Sequence, residues 1–449
     1  MSTLESRVST HEIIVIRTYT LSNATDVVAK CSQYELEALL NFKAGLVDPE
    51  DRLSSWKGNN CCQWHGIGCD NSTGVVNIID LHNQYPLSYV VPPGSLNVDN
   101  PEWLTNLRYL KHLKMNNLDL SIVGPDWSRI LTNLTSLTTL HLQVCRLSTL
   151  SPVFLPALLD LDLSMNSFNS KFPDWVSNLT SLSSLDLNSC GFYGRIPLSL
   201  SELPNLSLFA NNVEGGIPGS IGKLCNLRFL EVSVNNMTGN LPEVLEGIET
   251  CVSKTPMPSL QRLWLTNNKL VGRLPKWLGE LGNLEELELD YNRLEGPIPV
   301  SLGSLQRLTS IGLAGNKLNG TVPESFGQLS ELTNFDVSFN DLTGIVSETH
   351  FAKLSNLTFV HLSSNSLILR LNDDWIPPFQ IHGKLPTLFD VVPFADIDLS
   401  SNLFEGPIPL PNVEVELFSL SFNKFSGVIP YNIGKIMPNL IFLSLATCK

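Results

Sequence analysis

Cysteine is the residue type whose spacing most clearly indicates chemistry in this sequence. Four of the nine cysteines crowd one segment near the N-terminus, namely Cys31, Cys61, Cys62 and Cys69. Thiols grouped in this way form disulfides or bind zinc, but the adjacent Cys61 and Cys62 lack the C-x2-C spacing of a zinc knuckle. We therefore expect disulfides and no metal site, while the odd number of cysteines leaves at least one thiol unpaired within the chain.

Catalytic motifs are missing from the sequence. There is no glycine-rich phosphate loop, no H-R-D or D-F-G of a kinase, no G-x-S-x-G and no H-E-x-x-H. The 29 basic and 43 acidic residues give a net charge of -14, which repels phosphate groups. We therefore expect neither an enzyme nor a cofactor, and no nucleic-acid partner.

A repeated pattern, L-x-x-L-x-L-x-x-N-x-L-x-G-x-I-P, positions the remaining polar residues. Its ninth position is filled, along the chain, by Asn166, Cys190, Asn211, Asn235, Asn268, Asn292, Asn316, Asn340, Asn365, Asn402 and Asn423. The spacing is 24 residues at each step from Asn268 to Asn340. A period of this length indicates a solenoid built from stacked coils.

Each part of the pattern predicts a local structure. The x-L-x-L-x segment alternates with period two, so one face of a short strand enters the core and the other faces solvent. The Asn amide can pair with backbone groups of adjacent coils, and the glycine and proline shape the turn that follows. The sequence thus predicts an α/β solenoid, a curved right-handed leucine-rich-repeat superhelix with a parallel concave sheet. Carboxylate pairs such as Glu285 and Glu286 then lie on a solvent face, where they serve solubility rather than catalysis.

A different unit precedes the repeats. Residues 31–72 contain a capping box at Ser32 and Glu35, a helical face with Leu36, Leu39 and Leu40, and stop signals at Gly45 and Pro49. We expect a disulfide-bonded helical cap that covers the first coil.

The rest of the chain divides around this cap. Residues 1–30 form an atypical leader that we expect to be disordered, because its short apolar run is stopped by Arg17. Residues 73–449 form a solenoid of about 14 repeats, with lengthened repeats near 245–259 and 369–392. The pattern stops within a repeat at the C-terminus, which predicts a truncated array. No run of roughly 20 apolar residues occurs, so membrane association requires an anchor that lies C-terminal to this chain.

The cap and the repeat endings resemble one known family. The segments C-S-Q-Y-E at residues 31–35, L-S-S-W at 53–56 and C-C-Q-W-H-G-I-G-C at 61–69, with the G-x-I-P endings, are similar to those of plant leucine-rich-repeat receptor-like proteins. The match is to the class that includes the receptor for fungal ethylene-inducing xylanase. The resemblance implies the disulfides Cys31–Cys61 and Cys62–Cys69, and a place on the outer side of the plasma membrane. A bridge between Cys225 and Cys251 would close the first lengthened repeat.

Several surface residues are candidates for binding or modification. Large or charged side chains at solvent-facing x positions of neighbouring strands form a predicted ligand patch: Arg228, Phe229, Glu231, Arg262, Trp264, Glu286, Glu288, Tyr291 and Phe339. Sequons for N-glycosylation occur at Asn23, Asn71, Asn133, Asn178, Asn205, Asn236, Asn319 and Asn356. Cys145, Cys190 and Cys448 stand at the ninth position, where we expect a buried thiol in place of Asn.

Two functions fit these features. The first is the ligand-recognition ectodomain of a cell-surface receptor in defence or development, which binds a peptide, glycan or microbial protein and signals through a co-receptor kinase. The second is a soluble extracellular inhibitor of a microbial wall-degrading enzyme, or a truncated remnant that does not signal. Both would use the concave face, so they differ in the partner and not in the surface.

Overall fold

The computed structural model describes residues 30–48, 51–82, 97–98, 101–123, 126–149, 151–196, 203–217, 219–246, 251–370, 395–406, 415–426, 429, 431 and 433–446. The predicted leader before residue 30, the sequon at Asn23, residues 371–392 of the second lengthened repeat and Cys448 lie outside these ranges.

The N-terminal cap begins with the helix Gln33–Ala44, which starts at Ser32 and ends at Gly45. The capping box is present, because the Ser32 hydroxyl accepts from the Glu35 amide and the Glu35 carboxylate accepts from the Ser32 amide at 3.0 Å. The other Glu35 oxygen accepts from the backbone amide of Val76, also at 3.0 Å. Leu36 and Leu39 are buried, whereas Leu40 is 39% exposed and does not share their face.

Two disulfides hold this cap, Cys31–Cys61 and Cys62–Cys69. Each of the four clustered sulfurs is therefore part of a disulfide, and none of them is a thiolate that could bind zinc. The rings of Trp56 and Trp64 stack 5.2 Å apart beneath the helix. The predicted helical, disulfide-bonded cap is confirmed.

A long sheet runs the length of the described chain. Its sixteen strands follow one another in sequence order, and all pairs are parallel except the first. The strands are Ile67–Cys69, Val76–Asp80, His112–Lys114, Thr139–His141, Asp160–Asp162, Ser184–Asp186, Asn205–Ser207, Phe229–Glu231, Arg262–Trp264, Glu286–Glu288, Ser310–Gly312, Asn334–Asp336, Phe359–His361, Ala395–Asp398, Val415–Ser419 and Phe442–Ser444. We call this the long sheet. It is the parallel sheet that the repeat predicts, and the solenoid fold is confirmed.

A second, eight-stranded parallel sheet was not foreseen from the sequence. Its strands are Tyr193–Gly194, Asn212–Gly215, Asn236–Asn240, Lys269–Arg273, Arg293–Pro297, Lys317–Gly320, Asp341–Val346 and Ser366–Leu369. They occupy the segment that follows the ninth position in the eight coils from Cys190 to Asn365, with an apolar residue buried and, in most of them, a glycine at positive φ, such as Gly296 at 78°. Positive φ is open to glycine at little cost, so the glycine lets each strand bend at that point.

Shorter elements complete the coils. Strand Leu46–Val47 pairs antiparallel with Asn97–Val98, and Glu405–Gly406 pairs parallel with Lys424–Phe425. Single helical turns lie opposite the long sheet at Cys61–Gln63, Glu102–Asn106, Asp174–Asn178, Gly219–Lys223, Lys276–Glu280, Val300–Ser304, Glu324–Gln328 and Glu348–Phe351, with α-helical turns at Asp126–Leu131 and Ile433–Ile436. Pro275, Pro299 and Pro323 each stand at the N-cap of such a turn with extended backbone, where the fixed φ of proline is compatible and its missing amide breaks no helical hydrogen bond. In the part of the chain that is described, no helix has the length and apolarity to cross a bilayer.

The ninth-position residues form a continuous polar ladder in the core. The Asn292 amide nitrogen donates to the carbonyls of Leu265 and Leu289 at 3.0 Å each, and its oxygen accepts from the Leu270 amide at 3.1 Å. The same pattern recurs at Asn268, Asn316 and Asn340. Each amide thus satisfies backbone groups of its own coil and of the coil before it.

Two ladder positions hold buried cysteines that are free thiols. The Cys190 sulfur donates to the Leu163 carbonyl at 3.2 Å, and the Cys145 sulfur donates to that of Met115 at 3.1 Å. Burial raises the pKa of Cys190 to about 12, and it raises that of Cys145 as well. These thiols are therefore inert core groups at neutral pH.

Candidate ligand-binding face

The solvent side of the long sheet is formed by the two x positions of each x-L-x strand. The backbone register aligns Phe229, Arg262 and Glu286 in one row and Glu231, Trp264 and Glu288 in the next. Because adjacent parallel strands lie about 4.8 Å apart, each row brings its side chains into contact. Six residues of the predicted patch therefore lie on three neighbouring strands.

An aromatic pair and an ion pair occupy the centre of these rows. The rings of Phe229 and Trp264 meet edge to face, with their centroids 5.1 Å apart. The guanidinium of Arg262 lies 5.9 Å from the Trp264 ring centroid and 3.2 Å, through Nε, from the Glu286 carboxylate. The positive charge of Arg262 is thus already neutralised within the face.

Tyr291 and Phe339 lie at the eighth repeat position, two coils apart. Both have a φ of 52°, which costs a non-glycine residue roughly 1 kcal/mol. The conformation is held because the Tyr291 amide donates to the Ala314 carbonyl at 2.7 Å and the Phe339 amide donates to that of Ser363 at 2.9 Å. Their rings remain 52% and 57% exposed. Two aromatic side chains are therefore fixed in solvent at the edge of the face.

Glu231 does not fit the expectation of an accessible contact residue. Its side chain is only 5% exposed and accepts from the Ser233 amide at 3.1 Å. Burial raises the pKa of Glu231 to about 7, against hydrogen bonds from Ser233 that lower it. The prediction that the Glu231 side chain is accessible was wrong. The alternation of the strand predicts which face of the sheet a residue lies on, but it does not predict whether side chains of neighbouring strands cover that residue. Arg228, by contrast, is exposed just before its strand.

Carboxylates gather around a glycine in the strand Ser310–Gly312. The register places Gly312 between Glu288 and Asp336. A Cβ atom at Gly312 would lie 2.0 Å from Glu288 Oε2 and 2.3 Å from Asp290 Oδ2. These two carboxylates therefore lean into the space that a side chain at residue 312 would fill. Asp290 and Asp336 belong to the face although they were not among the predicted contacts.

The same carboxylates have perturbed acidities. Burial, followed by the charge of Asp290, raises the pKa of Glu288 well above its usual value, and the Ser310 hydroxyl, at 2.5 Å, opposes that change. Burial raises the pKa of Asp290 to about 6 against the donated Ala314 amide at 2.7 Å. Burial likewise raises the pKa of Glu286, with Arg262 lowering it. The side chains of Glu288 and Asp290 also hydrogen-bond to each other, so the raised pKa values indicate that this pair shares a proton and carries less than its full negative charge near neutral pH.

His361 links two further carboxylates of the face. Its ring nitrogens lie 3.6 Å from Asp336 and 3.2 Å from Asp396, one on each neighbouring strand. Burial lowers the pKa of His361, but the two carboxylates outweigh that effect and raise it to about 9. His361 is therefore an imidazolium at neutral pH. The strand alternation places it on the face, but its bridging role depends on two partners from different coils.

The first coils of the face have a different charge. Lys114 and His141 lie in one row there, and His141 contacts Asp160 at 2.7 Å. Beyond this point carboxylates dominate, and burial followed by the charge of Asp162 raises the pKa of Asp186 to about 7. Among the described strands, the N-terminal end of the face thus carries a lysine and two histidines, at Lys114, His112 and His141, whereas carboxylates prevail further along.

Predicted disulfide and glycan positions can be placed on this framework. Cys225 and Cys251 form a disulfide across the first lengthened repeat. The side chains of Asn71, Asn133, Asn178, Asn319 and Asn356 are exposed, and that of Asn236 is half-buried. Asn205 differs from these because it lies in a strand of the long sheet. Its side-chain amide donates to the Ser183 carbonyl at 3.1 Å, as that of Asn356 does to the Ser330 carbonyl at 3.0 Å. Glycosylation at these asparagines stays a prediction.

Comparison with known proteins gives two family matches. The leucine rich repeat N-terminal domain matches residues 32–70, and the leucine-rich repeat region matches residues 94–392. Receptor-like protein EIX1 of Solanum lycopersicum is 36% identical over 161 residues, and receptor-like protein 50 of Arabidopsis thaliana is 36% identical over 163 residues. Each alignment covers 33% of this chain, but only 15% and 17% of the respective relatives.

Among solved structures, the leucine-rich-repeat ectodomain of the Arabidopsis thaliana membrane receptor kinase GASSHO1/SCHENGEN3 is similar. That structure was determined in complex with CASPARIAN STRIP INTEGRITY FACTOR 2. The TM-score is 0.60 at 25% identity, over 92% of this chain and 47% of that one. The resemblance to plant receptor-like proteins is therefore confirmed.

Proposed function

Because this chain belongs to the leucine-rich-repeat family, we propose that it is the ligand-recognition part of a plant cell-surface receptor-like protein. Leucine-rich-repeat ectodomains of this kind are generally not enzymes. The proposal includes a place on the outer side of the plasma membrane and a signal that passes through a co-receptor kinase.

One observation carries the proposal: the solvent side of the long sheet bears large side chains that the core does not require. Phe229 and Trp264 contact each other there, and Tyr291 and Phe339 are more than half exposed. Exposed aromatic residues beside charged ones are typical of binding hot spots. The GASSHO1/SCHENGEN3 ectodomain, which shares this fold, offers a precedent for ligand binding by such a chain.

The ligand classes that fit the proposal are a peptide, a glycan and a microbial protein. A direct test measures binding of wild-type chain to three probes: a pool of synthetic secreted plant peptides, cell-wall oligosaccharides and a purified fungal xylanase. The Trp264→Ala and Tyr291→Ala variants should weaken binding of the correct probe by at least about tenfold, that is 1.4 kcal/mol.

The matched control removes exposed aromatic rings elsewhere. Tyr109 and Phe154 are 66% and 64% exposed and lie outside the strands of the long sheet, so Tyr109→Ala and Phe154→Ala should leave binding unchanged. Equal losses in both pairs of variants would contradict the proposal. If the bound probe is the xylanase and its hydrolytic activity stops on binding, the inhibitor function replaces the receptor function.

A further inference from the structure

Gly312 leaves one position without a side chain in an otherwise continuous row, and the ends of the Glu288 and Asp290 side chains turn into that position. The register aligns Glu288, Gly312 and Asp336 on three adjacent strands, and only the middle residue lacks a side chain. Tyr291 and Phe339 flank Gly312 at the eighth position of the preceding and following coils, and Gly315 at that position of the middle coil again has no side chain. We call the space between Glu288, Asp290, Asp336, Tyr291 and Phe339 the Gly312 notch.

The cations nearest to the notch are already engaged. On the seven strands from Phe229–Glu231 to Ala395–Asp398, only Arg262 and His361 among the described residues are positively charged. Arg262 pairs with Glu286, and His361 pairs with Asp336 and Asp396. Glu288 accepts from the Ser310 hydroxyl, Asp290 accepts from the Ala314 amide, and the two carboxyl groups hydrogen-bond to each other, but no described cation contacts either of them. The negative charge that remains on this pair is thus left for a partner from outside the chain.

The residues around these carboxylates indicate which chemical groups of a partner can bind there. Exposed aromatic rings attract ammonium and, more strongly, planar guanidinium groups, which stack on them. Guanidinium groups also bind carboxylates through two parallel hydrogen bonds. An anionic segment would be repelled, because these strands and the residues next to them carry more acidic groups than the two cations Arg262 and His361 can pair with.

We propose that this face binds a basic polypeptide segment, with one arginine or lysine side chain seated in the Gly312 notch. The inference rests on the proposed function and names the kind of ligand that the long sheet recognises. The carboxylates of Glu288 and Asp290 neutralise the cation, and the rings of Tyr291 and Phe339 cover its flanks.

The test uses the full chain and a fluorescein-labelled peptide of alternating glycine and arginine, with binding followed by fluorescence anisotropy at about 150 mM salt, where long-range attraction is screened. The double variant Glu288→Gln with Asp290→Asn keeps the shape of the notch and removes its charge. We expect it to weaken binding by at least about tenfold. Tyr291→Leu keeps the carboxylates and should weaken binding by about threefold to tenfold through loss of the ring.

The matched control is Glu324→Gln with Glu331→Gln, two exposed glutamates that lie outside the long sheet, between the strands Ser310–Gly312 and Asn334–Asp336. It removes at least as much charge from the chain, so an equal loss would show that overall charge alone attracts the peptide and would overturn the proposal. Equal binding of a glycine and glutamate peptide, or complete competition by millimolar calcium, would overturn it too. If the arginine peptide does not bind, while Trp264→Ala weakens binding of one of the three probes that test the proposed function, this inference is wrong and the proposed function stands.

Discussion

Arg262 Nε lies 3.2 Å from a carboxylate oxygen of Glu286 on the next strand of the long sheet. Both side chains are about one quarter exposed, at 27% and 23%, so the pair is only partly screened by water. A double-mutant cycle with Arg262→Gln and Glu286→Gln should therefore give a coupling energy of about 0.5–1 kcal/mol that falls as salt is added. Chemical denaturation of the four proteins measures it. A coupling of zero would mean that the pair contributes no net stability.

The buried carboxyl of Glu231 should make stability depend on pH. Its pKa rises from 4.5 to about 7 on folding, so the unfolded chain releases this proton first as pH increases. The resulting loss in the free energy of unfolding is absent near pH 4, grows between about pH 4.5 and 7, and is constant at higher pH. Glu231→Gln should raise the free energy of unfolding by about 1–3 kcal/mol at pH 8 and by little at pH 4. Glu214→Gln, at an exposed position, is the control and should change neither value.

His361 should show the opposite pH dependence. Its pKa rises from 6.5 to about 9, so the folded state holds a proton that the unfolded state loses. This stabilisation is fully present below about pH 6.5 and disappears as pH rises through 9. His361→Gln should therefore cost about 1–3 kcal/mol at pH 6 and much less at pH 10, relative to wild type at the same pH. An NMR titration of the His361 ring that gives a pKa near 6.5 would refute the bridging role.

The asparagine ladder can be tested at one coil. Asn292→Ala removes four hydrogen bonds to backbone groups and leaves the Leu270 amide and three carbonyls without that partner. We expect a loss of about 2–4 kcal/mol in thermal or urea unfolding. Asn292→Cys should cost less, because Cys145 and Cys190 show that a thiol can donate to the same carbonyl position. Asn240→Ala, at an exposed site, should be within about 0.5 kcal/mol of wild type.

A lysine built into the chain should occupy the Gly312 notch itself. The atoms that a Cβ would meet are the ends of the Glu288 and Asp290 side chains, which can move aside. Gly312→Lys should therefore raise the melting temperature at pH 7.5 and abolish binding of the arginine peptide. Gly312→Gln adds similar bulk without charge, so it should not raise the melting temperature. If both variants behave alike, the notch responds to volume and not to charge.

The sequence predicts repeating contacts well and single contacts poorly. The roles of Asn292 and of the buried apolar strand residues recur in most coils, so one physical argument about alternation and backbone pairing covers them. The second sheet was missed because the glycine and proline of its segment indicate a turn, and the sequence does not show that these segments pair with one another from coil to coil. Glu231, Asp290 and His361 depend on which side chains happen to stand on the neighbouring coils, and the period alone carries no information about those neighbours.

The reach of each ladder asparagine has a consequence for how such chains diversify. Because Asn292 bonds only to its own coil and the one before it, a coil can be gained or lost by recombination without altering geometry elsewhere. The hydrogen-bonding register of all later strands is kept, while their side chains are displaced along the long sheet by one strand spacing. Genes for such proteins can therefore change the length of a recognition surface in whole units, and each new junction brings residues such as Trp264 and Glu288 beside different neighbours.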